Sequence, residues 1–192
     1  MNILYLGVPP FSLTPIIKES GCDVIECNSK IDVNFLKQHK IDFAVSYRCP
    51  NIIRKPIINY LQGNIINLHI SLLPWNRGSD PNLWSFLENT PKGVTIHYLD
   101  EGLDTGKIIA QKKIIFDGAN ETLVTTYNKL NAEIIALFKE KWPAIMRGEI
   151  AGKDQQGKGS RHVLKDKNLF LHLIAKKGWN TTVSELINQA IR

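Results

Sequence analysis

In the apolar run NIINLHI (64 to 70), Asn67 and His69 stand two residues apart. If the run is a strand, both project from one face, because strand side chains alternate. A sharp SLLP turn follows at once and leaves the amide and the imidazole at the strand's carboxyl end. In open α/β sheets that edge is where ligands bind, so the pair suits catalysis better than packing. Further on, TIHYLDEGLDTGKIIAQ carries His97 and Asp104, and its acidic, glycine-bearing loop can return a carboxylate to the same edge. Asn67, His69 and Asp104 are therefore the candidate catalytic set. His97, inside a strand, is expected to support them by hydrogen bonding rather than to transfer protons. Taken singly, each of the three also has a plain structural alternative: a turn asparagine, a core histidine, a loop cap.

Positioning these residues requires a sheet. Apolar runs at 2 to 8, 22 to 27 and 41 to 47 alternate with helical patterns through Ile16, Ile17, Phe35 and Leu36, which predicts βαβαβ with a parallel sheet. Strands are expected through 64 to 70 and GVTIHYL, a short helix around 82 to 89, and a strand pair or bent strand at 107 to 116. Leu123, Tyr127, Leu130, Ile134, Leu137 and Phe138 recur at steps of three and four, so a long amphipathic helix should cross the sheet and close near Gly148. Asn120 is its expected cap, with Glu121 in the first turn. The fold class is thus α/β: a Rossmann-like open sheet, mostly parallel, with helices on both faces and a short C-terminal appendage. Residues 1 to 150 form the catalytic domain and 151 to 192 a basic extension, joined through the Gly-, Gln- and Lys-rich stretch 150 to 160, which reads as a linker or flexible loop.

At 192 residues and 43% hydrophobic content the chain can bury a core without disulfides or metal. Cys22, Cys27 and Cys49 have no Cys-x-x-Cys spacing and no nearby histidine, so no metal site is expected. No run approaches the roughly 20 apolar residues of a membrane span, and the start MNILYLGV lacks signal-peptide features; the expected location is cytoplasmic. Of the net charge of +6, residues 151 to 192 hold +5, from eight Lys/Arg against three Asp/Glu. That excess suits anionic partners or a solvated basic surface alike. No GxGxxG or GxxxxGK[ST] phosphate loop is present.

NLHISLLPWNRG followed by GVTIHYLDEGLDTGKIIAQ resembles the signature of the 10-formyltetrahydrofolate-dependent formyltransferases. Their pattern of Asn-x-His-x-Ser-Leu-Leu-Pro, Arg-Gly and a His seven residues before an Asp is matched at Asn67, His69, Arg77, Gly78, His97 and Asp104. The resemblance implies attack of a neutral amine on the formyl carbon of 10-formyltetrahydrofolate, which serves as co-substrate. Asn67 and a protonated His69 would meet the carbonyl oxygen as it gathers charge. Asp104 would favour the imidazolium and, through a water, accept the amine's proton. The resemblance also puts the pterin between the loop SYRCPNIIRKPII, with Arg48 and Pro50, and the Leu99 to Asp104 loop, with Leu99, Asp100 and Gly102. Ser71, Trp75, Arg77 and Gly78 are candidates for holding the acceptor.

The first loop, LGVPPFS, departs from the glycine-rich phosphate loop of glycinamide ribonucleotide enzymes, since its two prolines remove backbone donors. It is similar to the Gly-x-Pro-x-Phe start of methionyl-tRNA and sugar-nucleotide formyltransferases, as RGSDPNLWSF is to their Arg-Gly-x-x-Pro-x-x-Trp segment. The methionyl-tRNA enzymes add a C-terminal β-barrel of about a hundred residues, where only roughly 40 follow the long helix here. The expected acceptor is therefore an amino sugar on a nucleoside diphosphate, with no nucleic-acid or membrane partner. Lys158, Arg161 or Lys165 are candidates for the diphosphate, and Trp75 or Trp84 for sugar or base. LFLHLIA (169 to 175) is either a homodimer contact or a strip folded onto its own domain. A folate-binding relative without activity, or a formyl hydrolase, stands as the alternative from another class.

Overall fold

The computed structural model describes residues 1–118 and 120–190. Along the chain come β1 (Asn2–Gly7), α1 (Thr14–Glu19), β2 (Asp23–Cys27), α2 (Val33–Gln38), β3 (Phe43–Tyr47), α3 (Lys55–Leu61) and β4 (Ile65–His69). There follow β5 (Arg77–Gly78), α4 (Pro81–Leu87), β6 (Gly93–Tyr98), β7 (Ile108–Lys113), α5 (Leu123–Met146), β8 (Arg161–His162) and α6 (Leu171–Ile174). The strand order is β2-β1-β3-β4-β6-β7, with β5 and β8 forming a separate two-stranded ladder. β1 to β4 pair in parallel, while β6 and β7 run antiparallel to their neighbours, so the sheet is mostly parallel.

Alternation along β1 shows why helices cover both faces. Ile3 and Tyr5 join the cluster under α1 and α5 with Val45, Ile66, Leu130, Ile134 and Phe138. Leu4 and Leu6 join Leu36, Ala44, Ile57, Leu61 and Ile65 on the α2 and α3 side. A strand buried on both sides reads as a continuous apolar run, which is what NILYLG is. The chain steps from β1 to β2 and then crosses back past β1 to β3, so the sheet's order reverses there. The loops after β1, β3 and β4 leave from the same carboxyl edge, where such a reversal opens a crevice.

Three local expectations are corrected. Thr122, not Asn120, caps α5: its extended backbone lets its hydroxyl accept from the Thr125 N–H, while the Thr125 hydroxyl accepts from the Thr122 N–H. Glu121 consequently precedes the helix and accepts a hydrogen bond from the Thr125 hydroxyl. The strand pair is not found at 107 to 116: the region holds one strand, β7 (Ile108–Lys113), with a register irregularity opposite Ile96 and His97, which agrees with the bent-strand alternative. Residues 150 to 160 are laid along the fold: Lys153 bridges Ile108, the Arg77 N–H donates to the Ser160 carbonyl at 3.0 Å, and β8 pairs β5.

The tail beyond β8 packs on α4. Phe170, Leu173 and Ile174 lie against buried Leu83, Trp84, Phe86 and Leu87, and the 3-10 turn at Val183–Glu185 adds Val183 to the same cluster. The apolar strip is therefore folded back through Phe170, Leu173 and Ile174, with Leu169 and Leu171 still exposed. Among the described residues no helix is long and apolar enough to cross a membrane, and no cluster of His, Cys, Asp and Glu is arranged to hold a metal.

Candidate active site

Asn67 and His69 face the same way at the end of β4, and antiparallel pairing sets His97 of β6 directly opposite Asn67. The loop after β6 then returns Asp104 to this edge, with Asp104 in the left-handed region at φ +51°. One Asp104 oxygen, Oδ1, accepts from Asn67 Nδ2 at 3.2 Å and lies 3.4 Å from His97 Nε2. The other, Oδ2, accepts from the Gly78 N–H at 2.8 Å and lies 3.6 Å from His69 Nδ1. Asn, His and Asp thus converge, as the sequence pattern suggested.

The electrostatics follow from this geometry. Burial of the carboxyl is the largest influence on Asp104 and by itself would raise its pKa. The charge on His69, the hydrogen bond and charge of His97, and the Gly78 N–H together outweigh burial and hold it well below the usual carboxylate range. Asp104 is therefore an anion at any physiological pH.

His69 is 6% exposed, and its Nε2 donates to the Asn76 carbonyl at 2.9 Å. A carbonyl oxygen accepts only, so Nε2 carries hydrogen and Nδ1 is the nitrogen facing the carboxylate. A proton held at Nδ1 makes the ring a cation stabilised by Asp104. Asn76 is fully buried at φ +56° and wired on every side. Its Nδ2 donates to the Thr90 hydroxyl at 2.8 Å, its N–H donates to Ser160 Oγ at 3.0 Å, and its Oδ1 accepts from the Ser160 hydroxyl at 3.2 Å. His97 is wholly buried, its Nδ1 donating to the Tyr98 carbonyl at 2.8 Å, and its Nε2 lies between Asp104 Oδ1 at 3.4 Å and Asn67 Nδ2 at 3.3 Å. It thus braces both residues from behind.

The other candidates divide. Gly78 holds Asp104 through its backbone and has no room for a side chain, since a Cβ would fall 2.2 Å from the His162 carbonyl oxygen. The Arg77 guanidinium donates to Gln155 Oε1 at 2.8 and 3.1 Å. Gln155 Nε2 donates in turn to the Asp104 and Gly106 carbonyls at 2.8 and 2.9 Å, tying the Asp104 loop to β5. The Ser71 hydroxyl donates to the Trp75 carbonyl and closes the turn after β4. Asp100 accepts from the Gly102 N–H at 3.0 Å and the Thr105 hydroxyl at 2.7 Å, so Asp100 and Gly102 shape the turn that carries Asp104. Leu99, Cys49 and Ile53 pack against the same core cluster on the α2 and α3 side, which puts the two loops expected around the pterin on one side of the sheet. Arg48 and Pro50 are exposed on the first of those loops. Trp75, Trp84 and Arg161 line one cavity of about 570 Å³, in which Trp84 stacks on His162 at 3.8 Å. Trp84 is 4% exposed and belongs to the core.

Sequence reasoning missed Asn76, Ser160 and Gln155. For Asn76 a signal existed, since asparagine before Arg-Gly in a turn readily takes a left-handed backbone. Gln155 and Ser160 sit in an aperiodic stretch and had none.

A mostly parallel sheet of this order, with an Asn-His-Asp cluster at the end of its fourth strand, is the Rossmann-like fold of formyltransferases. The chain belongs to the formyl transferase family, whose model matches residues 18–140. It is 34% identical over 178 residues to a methionyl-tRNA formyltransferase of Thermodesulfovibrio yellowstonii, covering 88% of this chain and 54% of the relative. With a phosphoribosylglycinamide formyltransferase of Bacillus subtilis it shares 32% identity, covering 64% of this chain and 60% of the relative. The chain spans about half the length of the methionyl-tRNA formyltransferases it matches. Among solved structures, the formyltransferase PseJ from Anoxybacillus kamchatkensis, in complex with UDP-4,6-dideoxy-4-formamido-L-AltNAc and tetrahydrofolate, superposes with a TM-score of 0.94 at 45% identity, covering 99% of this chain and 100% of that one.

Proposed function

We propose that the protein transfers the formyl group of 10-formyltetrahydrofolate to the amine of an amino sugar carried on a nucleoside diphosphate. Cytoplasm is the proposed location, a reducing compartment in keeping with three free, half-buried thiols. The observation that carries the choice of acceptor is the 45% identity with PseJ across both chains, the segment after α5 included.

In the proposed reaction the amine lone pair attacks the formyl carbon and the carbonyl π electrons move to oxygen. Collapse of the tetrahedral intermediate breaks the bond to folate N10, which takes up a proton as the amine loses one. His69 Nδ1–H is the donor with a proton to give the oxyanion, because its contact with Asp104, at 3.6 Å, is longer than a hydrogen bond. Asn67 adds a second donor by exchanging its 3.3 Å contact with His97, the longer of its two, for the formyl oxygen. Loss of one such donor typically raises the barrier by roughly 3 to 4 kcal/mol.

Asp104's lowered pKa supports one of its two expected tasks over the other. A carboxylate stabilised this strongly is a poor final proton acceptor, but it holds positive charge on His69 and on the attacking nitrogen. The amine's proton then leaves through water.

Release of tetrahydrofolate, followed with nucleotide-linked amino sugars, glycinamide ribonucleotide and methionyl-tRNA in parallel, tests the reading. Turnover confined to an amino-sugar nucleotide is expected. Turnover with methionyl-tRNA instead would overturn the acceptor class, and folate binding without turnover on any acceptor would overturn the enzyme.

A further inference from the structure

Asn76 takes no part in the reaction as proposed, yet it is fully buried, has its backbone in the left-handed region at φ +56° and has every polar group bonded. A non-glycine residue keeps such a conformation only when its surroundings impose it, and residues so held cluster at functional sites. We infer that Ser160, acting through Asn76, is a positioning residue for His69: it keeps hydrogen on Nε2 of the imidazole and so leaves Nδ1 as the nitrogen that faces the formyl oxygen. Ser160 lies beyond residues 18–140, the segment matched by the family model, so the extension supplies part of the catalytic unit. The inference rests on the reaction proposed above.

An imidazole can carry its hydrogen on either nitrogen, and the bond made by one nitrogen decides the state of the other. His69 Nε2 meets the Asn76 carbonyl at 2.9 Å, an oxygen that only accepts, while Nδ1 lies 3.6 Å from Asp104 Oδ2. With hydrogen fixed on Nε2, a proton at Nδ1 makes the ring a cation, and a charged donor is roughly twice as strong toward an oxyanion as a neutral one. Were the carbonyl displaced, the ring could turn, or carry its one hydrogen at Nδ1 as a neutral and weaker donor. The direction of the Asn76 carbonyl therefore matters to the chemistry, and the left-handed backbone of Asn76 sets it.

Two distant segments hold that backbone. The Ser160 hydroxyl bonds twice, accepting from the Asn76 N–H at 3.0 Å and donating to Asn76 Oδ1 at 3.2 Å. The Thr90 hydroxyl, shortly after α4, accepts from Asn76 Nδ2 at 2.8 Å. The backbone of Ser160 is fastened on either side of Asn76: its N–H donates to the Pro74 carbonyl at 3.2 Å, and its carbonyl accepts from the Arg77 N–H at 3.0 Å. Gly159 permits this approach, because at φ +62° a Cβ there would fall 2.1 Å from the Pro74 carbonyl oxygen. β8 follows at once and is anchored by His162, whose ring stacks on Trp84 at 3.8 Å and lies 3.2 Å from Glu88 Oε2. None of these backbone and ring contacts uses the Ser160 hydroxyl, so its removal disturbs Asn76 and leaves the extension seated.

The test reads kcat, both substrates' KM values and the nitrogen–proton NMR signals of labelled histidine rings, with those of His69 assigned by their loss in His69→Gln. In Ser160→Ala, which deletes two hydrogen bonds to Asn76, kcat should fall about 5- to 150-fold while both KM values stay near native. The Nε2–H signal of His69, protected while the Asn76 carbonyl holds it, should broaden or vanish as that hydrogen exchanges with solvent or shifts to Nδ1. Ser160→Thr keeps the hydroxyl, and its added methyl can occupy the cavity of about 570 Å³ that Ser160 lines, so it should recover most of the turnover and the native signal. Thr90→Val, similar in size, removes the other fastener without touching the extension and should act in the same direction. Native kcat in both Ser160→Ala and Thr90→Val overturns the inference. So does a fall in kcat with an unchanged His69 signal, since a defect elsewhere in the fold would give that. If the native chain formylates no amino-sugar nucleotide, the acceptor reading fails by itself. The NMR comparison needs no acceptor, and an unchanged His69 signal in both variants would still overturn the positioning role.

Discussion

Gln155 offers a sharp test of how the catalytic carboxylate is held. Its Nε2 donates to the carbonyls of Asp104 and Gly106, and its Oε1 accepts twice from Arg77. Asp104 sits at φ +51°, a conformation that a non-glycine residue keeps only when its surroundings hold it. Gln155→Ala removes both donors to the loop. At about 0.5 to 1.5 kcal/mol net for each hydrogen bond, the loss amounts to about 1 to 3 kcal/mol. If it falls on the transition state, kcat/KM drops about 5- to 150-fold. Gln155→Glu separates the two halves of the contact, because it keeps an acceptor for Arg77 yet sets a carboxylate against two carbonyl oxygens. It should lose at least as much as Gln155→Ala. The assay is tetrahydrofolate release with an amino-sugar nucleotide, on variants whose circular dichroism matches the native chain. Native kcat/KM in Gln155→Ala, or in Gln155→Glu alone, would refute the view that these two bonds hold Asp104 in place.

Three further outcomes are expected. Asn67→Ala, which takes a donor from the reaction centre, should lower turnover by about 100-fold or more with folate binding retained in a fluorescence titration; a small effect removes Asn67 from the chemistry. Asp104→Asn should be as severe in turnover and should also change acid stability. A carboxyl whose folded pKa is depressed contributes stability above its ordinary pKa of about 3.9, and that contribution is lost as pH falls toward the folded value. Denaturant unfolding between about pH 5 and 2 should therefore decline less steeply in Asp104→Asn than in the native chain, and parallel slopes would contradict the assigned ion cluster. Thr122→Ala removes the α5 cap and should cost about 1 kcal/mol, lowering Tm by about 2 to 4 °C in a thermal melt.

Much of this protein was legible before any coordinates. Apolar runs that alternate with helical periods specify a doubly covered sheet, because a strand buried on both faces has no polar side to show. The step of two between Asn67 and His69 likewise specifies one face of a strand end, and the distance from His97 to Asp104 specifies a loop long enough to return. These are local properties, governed by backbone geometry within a few residues.

What the tertiary structure alone decided is which distant groups complete the cluster. Gly78 reaches Asp104 only because β5 lies beside the Asp104 loop, and His69 has its hydrogen bond only because buried Asn76 is braced by Thr90 and Ser160. The stretch from 150 to 160 reads as a linker since its residues have no period, yet it is ordered by side-chain bonds to β5 and the Asp104 loop. Thr122 rather than Asn120 starts α5 because the return of Thr182 and Thr125's hydroxyl select it. Hydrogen bonds between segments so far apart depend on the path of the whole chain, and no local pattern of residue types encodes them.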